Sequence, residues 1–96
     1  MQLYGINAIY ANITICNFVS MANKHIVEPL AIELLAINVR KQRIKADMSQ
    51  LTLAGLVGVS YSQIARIELG KINTSVTMIY LIAQALEIEP DLLLKK

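Results

Sequence analysis

Two short helical segments, separated by a single glycine turn within residues 50–69, constrain this chain more than any other feature. Ser49 and Ser60 are both good helix N-caps, because a serine hydroxyl can accept a hydrogen bond from the first turn. Gln63 follows Ser60 at the spacing of a capping box. Gly58 lies between the segments, where it can adopt the left-handed conformation that ends a helix. The sequence therefore predicts two short helices joined by a tight turn.

The packing of such a helix pair imposes steric demands, and this sequence meets them. Ala54 is small where the second helix must cross close above the first. Apolar side chains are available to fill the wedge between the two helices: Leu53, Val57, Val59, Ile64 and Ile67. This combination is typical of a helix-turn-helix, in which the second helix enters the DNA major groove.

The flanking sequence is also helical in pattern. Pro29 suits the first turn of a helix that ends near Lys45 and places one apolar face inward, formed by Ile32, Leu35, Ala36 and Val39. A fourth helix starts at Ser75 or Thr74 and directs inward Ile79, Ile82, Ala83 and Leu86. Pro90 opens a last short helix that reaches about Leu94. We therefore predict an all-α domain of five helices over residues 29–96, with no strand.

Length and composition exclude several classes of protein. Ninety-six residues suffice for one small domain. The lone Cys16 and lone His25 can form neither an internal disulfide nor a zinc module, which fits a reduced, cytoplasmic setting. The chain has no glycine-rich phosphate loop and no nucleophile with a partner base, so we predict no enzyme activity, no metal and no cofactor.

Residues 1–23 carry no charged side chain and stand apart from the rest. Polar residues interrupt the apolar run and no base precedes it, so we predict neither a signal peptide nor a membrane-spanning helix. Three interpretations of this N-terminal tail stay open: a disordered tail, a dimerisation arm, or translated upstream sequence with Met21 as the working start.

Positive charge is concentrated in the middle of the chain. Residues 40–71 carry a net charge of +4, whereas the remainder carries −2. A basic centre suggests a surface that binds a polyanion, although such a cluster is more often ordinary solvated surface.

Residues 32–94 resemble the helix-turn-helix domain of the phage repressor and Cro type, the XRE family. The resemblance rests on segments that align in order and without gaps: residues 39–43, 48–50, 58–60, 64–71 and 86–90. It implies a compact five-helix, lambda-repressor-like fold that binds double-stranded DNA in transcription regulation, usually as a homodimer.

In the second helix of the helix-turn-helix pair, Ile64 and Ile67 point inward. The opposite face of that helix carries Tyr61, Ser62 and Arg66. We predict that these residues contact bases, because Arg66 can donate two hydrogen bonds to a guanine edge. Matching positions read bases in the family. The alternatives are a surface aromatic packed along the helix for Tyr61 and a solvated helix charge for Arg66.

A phosphate clamp is predicted around the start of the first helix of the pair. Gln50 lies where free backbone amides and the helix dipole favour an anion. The predicted phosphate contacts are Ser49, Gln50, Ser60, Lys71 and Asn73. Lys71 and Asn73 could equally be ordinary turn residues.

Two charged residues continue apolar stripes by one turn: Arg43 after Val39, and Glu68 after Ile64. Without the other as a partner, each would be a partly buried charge that has no counter-charge. We predict a structural Arg43–Glu68 ion pair, as matching positions form in relatives.

The sequence departs from the family pattern on the first helix of the pair. Thr52 stands where a capping-box glutamate is usual, and the outward positions Leu51, Gly55 and Leu56 are apolar rather than polar. An outward apolar helix suggests a contact surface, so an antitoxin or another protein-interaction module, bound to a toxin or similar partner, is the alternative function. For the homodimer of the leading hypothesis, we expect a surface that includes Ile88, Leu92 and Leu93.

Overall fold

The computed structural model describes residues 26–96, so the predicted tail over residues 1–23 lies outside the described residues. The elements are α1 (Pro29–Lys45), α2 (Gln50–Val57), α3 (Tyr61–Glu68), α4 (Val76–Leu86) and a terminal 3-10 helix (Pro90–Leu93). Residues 26–96 contain no strand. The all-α prediction is confirmed.

Serine hydroxyls start three of the helices. The Oγ atoms of Ser49, Ser60 and Ser75 accept hydrogen bonds from the amides of the residues three positions on, at 3.0, 3.2 and 3.1 Å. The fourth helix therefore begins after Ser75 and not after Thr74. At α2, the hydroxyl of Ser49 also donates to that of Thr52 at 2.9 Å.

Gly58 ends α2 in the left-handed region, with φ at 91°. Residues that have a Cβ rarely adopt this backbone conformation, so the sharp reversal between α2 and α3 depends on glycine here. The turn places α3 across α2 within three residues of chain.

The core lies between the helices and draws on each of them. The largest fully buried side chains are Val39, Leu53, Ile64, Ile67, Ile82 and Leu93. Val57 and Val59 pack against this cluster from the α2–α3 corner. The wedge of apolar residues predicted for the helix pair is therefore present.

The last predicted helix is shorter and tighter than expected. Residues Pro90–Leu93 form a 3-10 helix, with i→i+3 bonds such as that from the Leu94 amide to the Asp91 carbonyl at 3.1 Å. Leu93 is 0% exposed, because it closes the core against α1 and α4. The expectation that Leu93 lies on a dimer surface is therefore wrong.

Candidate nucleic-acid interface

The helix α3 has one buried and one exposed face. Ile64 and Ile67 are 0% and 1% exposed, which fixes the rotation of the helix about its axis. Tyr61, Ser62 and Arg66 are all exposed to solvent on the remaining face. The structure thus presents the predicted base-reading residues together on one helix, with the guanidinium of Arg66 outside the protein body.

An ion pair holds the carboxyl end of α3 against α1. Arg43 Nε donates to Glu68 Oε2 at 2.6 Å, and Arg43 Nη2 donates to Glu68 Oε1 at 3.0 Å. The side chains of Arg43 and Glu68 are only 12% and 2% exposed. The third Arg43 bond runs from Nη1 to the Met48 carbonyl at 2.8 Å and fixes the α1–α2 loop. The residues predicted as a structural pair are therefore in bidentate contact.

This contact raises the pKa of Arg43 above its ordinary value. The hydrogen bonds to Glu68 are the main cause, the negative charge of Glu68 adds to it, and burial opposes it. The guanidinium consequently loses its proton only at a pH above the ordinary value for arginine.

Gln50 joins the same cluster. Its Nε2 atom donates to Glu68 Oε1 at 2.9 Å. Glu68, on α3, therefore contacts both Arg43 of α1 and Gln50, the first residue of α2. The amides of Gln50 and Leu51 have no hydrogen-bond partner within residues 26–96. The side chain of Gln50 is therefore held in place, and the amides beside it are available to an anion.

The other predicted phosphate-contacting residues are exposed. Ser49 and Ser60 lie at the amino ends of α2 and α3, where their hydroxyls serve as caps. Lys71 and Asn73 lie in the loop between α3 and α4, after Gly70, whose φ is 70°. The predicted site thus consists of two helix amino termini, the exposed face of α3 and the loop that follows it.

Sequence reasoning missed a buried polar residue behind this surface. Asn38 is 8% exposed, and its Nδ2 atom donates to the carbonyls of Leu93 and Lys95 at 3.1 and 2.7 Å. It therefore anchors the terminal 3-10 helix to α1. The available signal was its position three residues after Leu35, on the edge of the inward face of α1.

The apolar residues that depart from the family pattern are exposed. Leu51 and Leu56 are 67% and 59% exposed, and Gly55 is also at the surface of α2. In the part of the chain that the structure describes, no three His, Cys, Asp or Glu side chains are grouped to hold a metal ion. None of its helices has the length and apolar composition needed to cross a bilayer.

Comparison with known proteins identifies a helix-turn-helix domain in this chain. The family described as Helix-turn-helix (HTH_3) matches residues 39–93, which is more than half of the chain. Among solved structures, the restriction-modification controller protein C.AhdI from Aeromonas hydrophila is 35% identical in sequence, with a TM-score of 0.63. That match covers 65% of this chain and 94% of C.AhdI. No curated protein matches the chain.

Proposed function

This chain belongs to the helix-turn-helix family of the XRE (Cro/C1) type, and from that premise we propose that it regulates transcription by sequence-specific binding to DNA. In this proposal α3 enters the major groove of double-stranded DNA. The protein acts in the cytoplasm, and it is not an enzyme. The likeness to a restriction-modification controller favours genes of a restriction-modification system as its targets.

The observation that carries the proposal is the two-sided character of α3. Its isoleucines are buried, while Tyr61, Ser62 and Arg66 face solvent together. In the proposed complex, Arg66 donates to guanine O6 and N7, and Tyr61 and Ser62 contact neighbouring base edges or thymine methyl groups. A bidentate arginine–guanine contact is worth about 1–3 kcal/mol of discrimination between bases.

Phosphate contacts would set the orientation of α3 in the groove. Gln50 is well suited to this role, because Glu68 fixes its side chain next to amides without partners. Ser49, Ser60 and Lys71 extend the proposed phosphate contacts around it, together with Asn73. These contacts position the protein, whereas the residues of α3 specify the sequence.

One copy presents a single short recognition helix, so we propose that the protein binds as a homodimer to an inverted repeat. Two recognition helices spaced about 34 Å apart read successive major grooves on one side of the duplex. The half-site spacing of the preferred sequence is therefore a direct test of the assembly.

The experiment is a binding selection from randomised duplexes, followed by affinity measurements on the selected site. We expect an inverted repeat to be enriched. Arg66→Ala should reduce discrimination at one base pair by about 1–3 kcal/mol, whereas Lys71→Ala should weaken binding to all sequences alike. Lys96→Ala, which removes the same charge at the chain terminus, serves as the control. Absence of any enriched sequence would contradict the proposal.

The exposed apolar residues of α2 favour a second candidate, a protein-interaction module such as an antitoxin that binds a toxin. Leu51 and Leu56 are 67% and 59% exposed, and Gly55 between them is also at the surface. Such a module would show no Arg66-dependent sequence preference among duplexes. The same affinity measurements therefore separate the two candidates.

A further inference from the structure

A groove lies between α1 and the carboxyl end of α3. Its volume is about 400 Å³, within the range of about 300–1,000 Å³ for sites that hold a bound group. Val27, Ile32 and Ile37 line it on the side of α1, and Leu69 lines it on the side of α3. Val27, Ile37 and Leu69 are 49%, 54% and 68% exposed, so these apolar side chains are open to solvent. We call this feature the α1–α3 groove.

The charges of the groove limit what can fill it. Glu33 is exposed there, and among residues 26–96 no basic side chain pairs with it. Glu68 also lines the groove, but its carboxylate is already bonded to Arg43 and Gln50. None of the described residues that line the groove is basic. The occupant that fits is therefore apolar, has no negative charge, and brings a cation close to Glu33.

The chain itself contains a segment of this kind. The described residues begin at Ile26, directly before Val27 of the groove. Residues 1–23 carry no charged side chain, and Lys24 follows them. The large apolar side chains nearest to Ile26 in the preceding sequence are those of Phe18, Val19 and Met21.

We propose that residues 18–21 of this chain fill the α1–α3 groove, with the ring of Phe18 between Ile37 and Leu69. The chain then reverses direction before Ile26 and runs back along α1. This path brings Lys24 close to Glu33.

The length of the intervening chain permits this path. Pro29 and Ile37 are about 12 Å apart along α1, at about 1.5 Å per residue. Phe18 precedes Ile26 by eight residues, which span about 26 Å when extended. Enough chain therefore remains for a turn before Ile26.

The covalent connection favours this segment over a separate partner. A segment joined through a short linker has an effective concentration on the order of millimolar, so a weak apolar contact is enough to fill the groove. A separate protein has no such advantage, and an acidic one is also repelled by Glu33.

This contact goes beyond the proposed function, because it requires no DNA. Tyr61, Ser62 and Arg66 do not line the groove. The segment therefore leaves the residues proposed to contact bases available to DNA. Operator affinity, measured separately, tests the proposed function.

Cys16, the only cysteine of the chain, allows a cross-linking test. It precedes Phe18 by two residues, and Arg40 is exposed one turn after Ile37. In the full chain, Arg40→Cys should therefore form an internal disulfide with Cys16 on mild oxidation of dilute protein without DNA. Leu56→Cys, at an exposed residue of α2, is the control and should form about tenfold less. Peptide mass mapping measures both yields.

Equal yields of internal disulfide in the two variants, or none at position 40, would overturn the proposal. A product at position 40 that consists only of disulfide-linked dimers would also overturn it, because the groove would then be filled by a second copy.

Substitution of Phe18 tests whether the groove holds the segment. In the Arg40→Cys background, Phe18→Asp should lower the yield of internal disulfide about tenfold, because it removes the apolar ring and adds a charge that Glu33 repels. Tyr10→Asp adds the same charge outside residues 18–21 and should leave the yield unchanged. Circular dichroism confirms that each variant is folded. An unchanged yield for Phe18→Asp would contradict the proposal.

Nuclear magnetic resonance of the wild-type chain tests the contact without a cross-link. We expect nuclear Overhauser effects between the ring protons of Phe18 and the methyl groups of Ile37 and Leu69. Their absence in the folded protein would overturn the assignment of residues 18–21 to the α1–α3 groove.

Discussion

At the scale of single residues, Glu68 is the side chain that ties together the helices behind the candidate interface. It accepts three hydrogen bonds, two from Arg43 and one from Gln50, while almost fully buried. Removing it leaves the guanidinium of Arg43 buried without its counter-charge. We therefore expect Glu68→Ala to lower the free energy of unfolding by about 3–5 kcal/mol, as measured by urea denaturation.

Glu89→Ala, at an exposed position, is the matched control and should change stability by less than about 0.5 kcal/mol. A loss of less than about 1 kcal/mol for Glu68→Ala would contradict the buried pair. Because its folded-state pKa is raised, Arg43 contributes its stabilisation at every pH below the ordinary value of a guanidinium and loses it only as the pH rises through the folded value. The Arg43 contribution should therefore not fall as the pH rises from neutral to mildly alkaline values, which urea denaturation at those pH values measures.

Asn38 carries the second residue-scale prediction. Its amide satisfies two carbonyls at the carboxyl end of the chain, and Asn38→Ala would leave the buried Leu93 carbonyl without this donor. We expect a loss of about 1–3 kcal/mol in unfolding free energy. Hydrogen exchange should become faster in the terminal 3-10 helix, and Asn73→Ala should have no such effect. Unchanged exchange at Leu93 and Leu94 would show that Asn38 does not anchor this element.

At the scale of elements, two glycines of α2 have opposite requirements: Gly55 lies within the helix, and Gly58 is its C-cap. Gly58 has φ at 91°, whereas Gly55 lies inside the helix, where an added Cβ meets nothing within 4 Å. Gly55→Ala should stabilise the protein by about 0.5–1 kcal/mol, because alanine is the better helix former. Gly58→Ala should destabilise it by about 1–2 kcal/mol. Thermal unfolding of the two variants tests both predictions. A change of melting temperature with the same sign in both variants would contradict the assignment of Gly58 as the end of α2.

Most of the element order follows from the sequence, because caps and glycines mark helix ends locally. Ser49, Ser60 and Ser75 fix helix starts through bonds to residues three positions away, and the burial of Ile64 fixes which face of α3 is exposed. The bonds of Asn38 could not be predicted, since they join residues more than fifty positions apart.

At the scale of the whole molecule, the positive charge of residues 40–71 is divided among several elements. Glu68 neutralises Arg43, and Arg40 and Lys41 belong to the exposed side of α1. Only Arg66 and Lys71 lie on α3 or directly after it. The surface predicted to bind a polyanion therefore has few cations on and beside α3, the helix proposed to enter the DNA groove. Most of its phosphate contacts would come from neutral groups.

This distribution predicts a shallow salt dependence of DNA binding. Neutral donors release few counterions, so one or two cations per copy in a homodimer should give a slope of log K against log salt of about −2 to −4. Fluorescence anisotropy on the selected site between low and moderate salt measures it. Lys71→Ala should reduce the magnitude of the slope, whereas Arg40→Ala should leave it unchanged. A slope steeper than about −6 would mean that the basic side chains of α1 also contact phosphates. The DNA would then have to extend across α1 as well as α3.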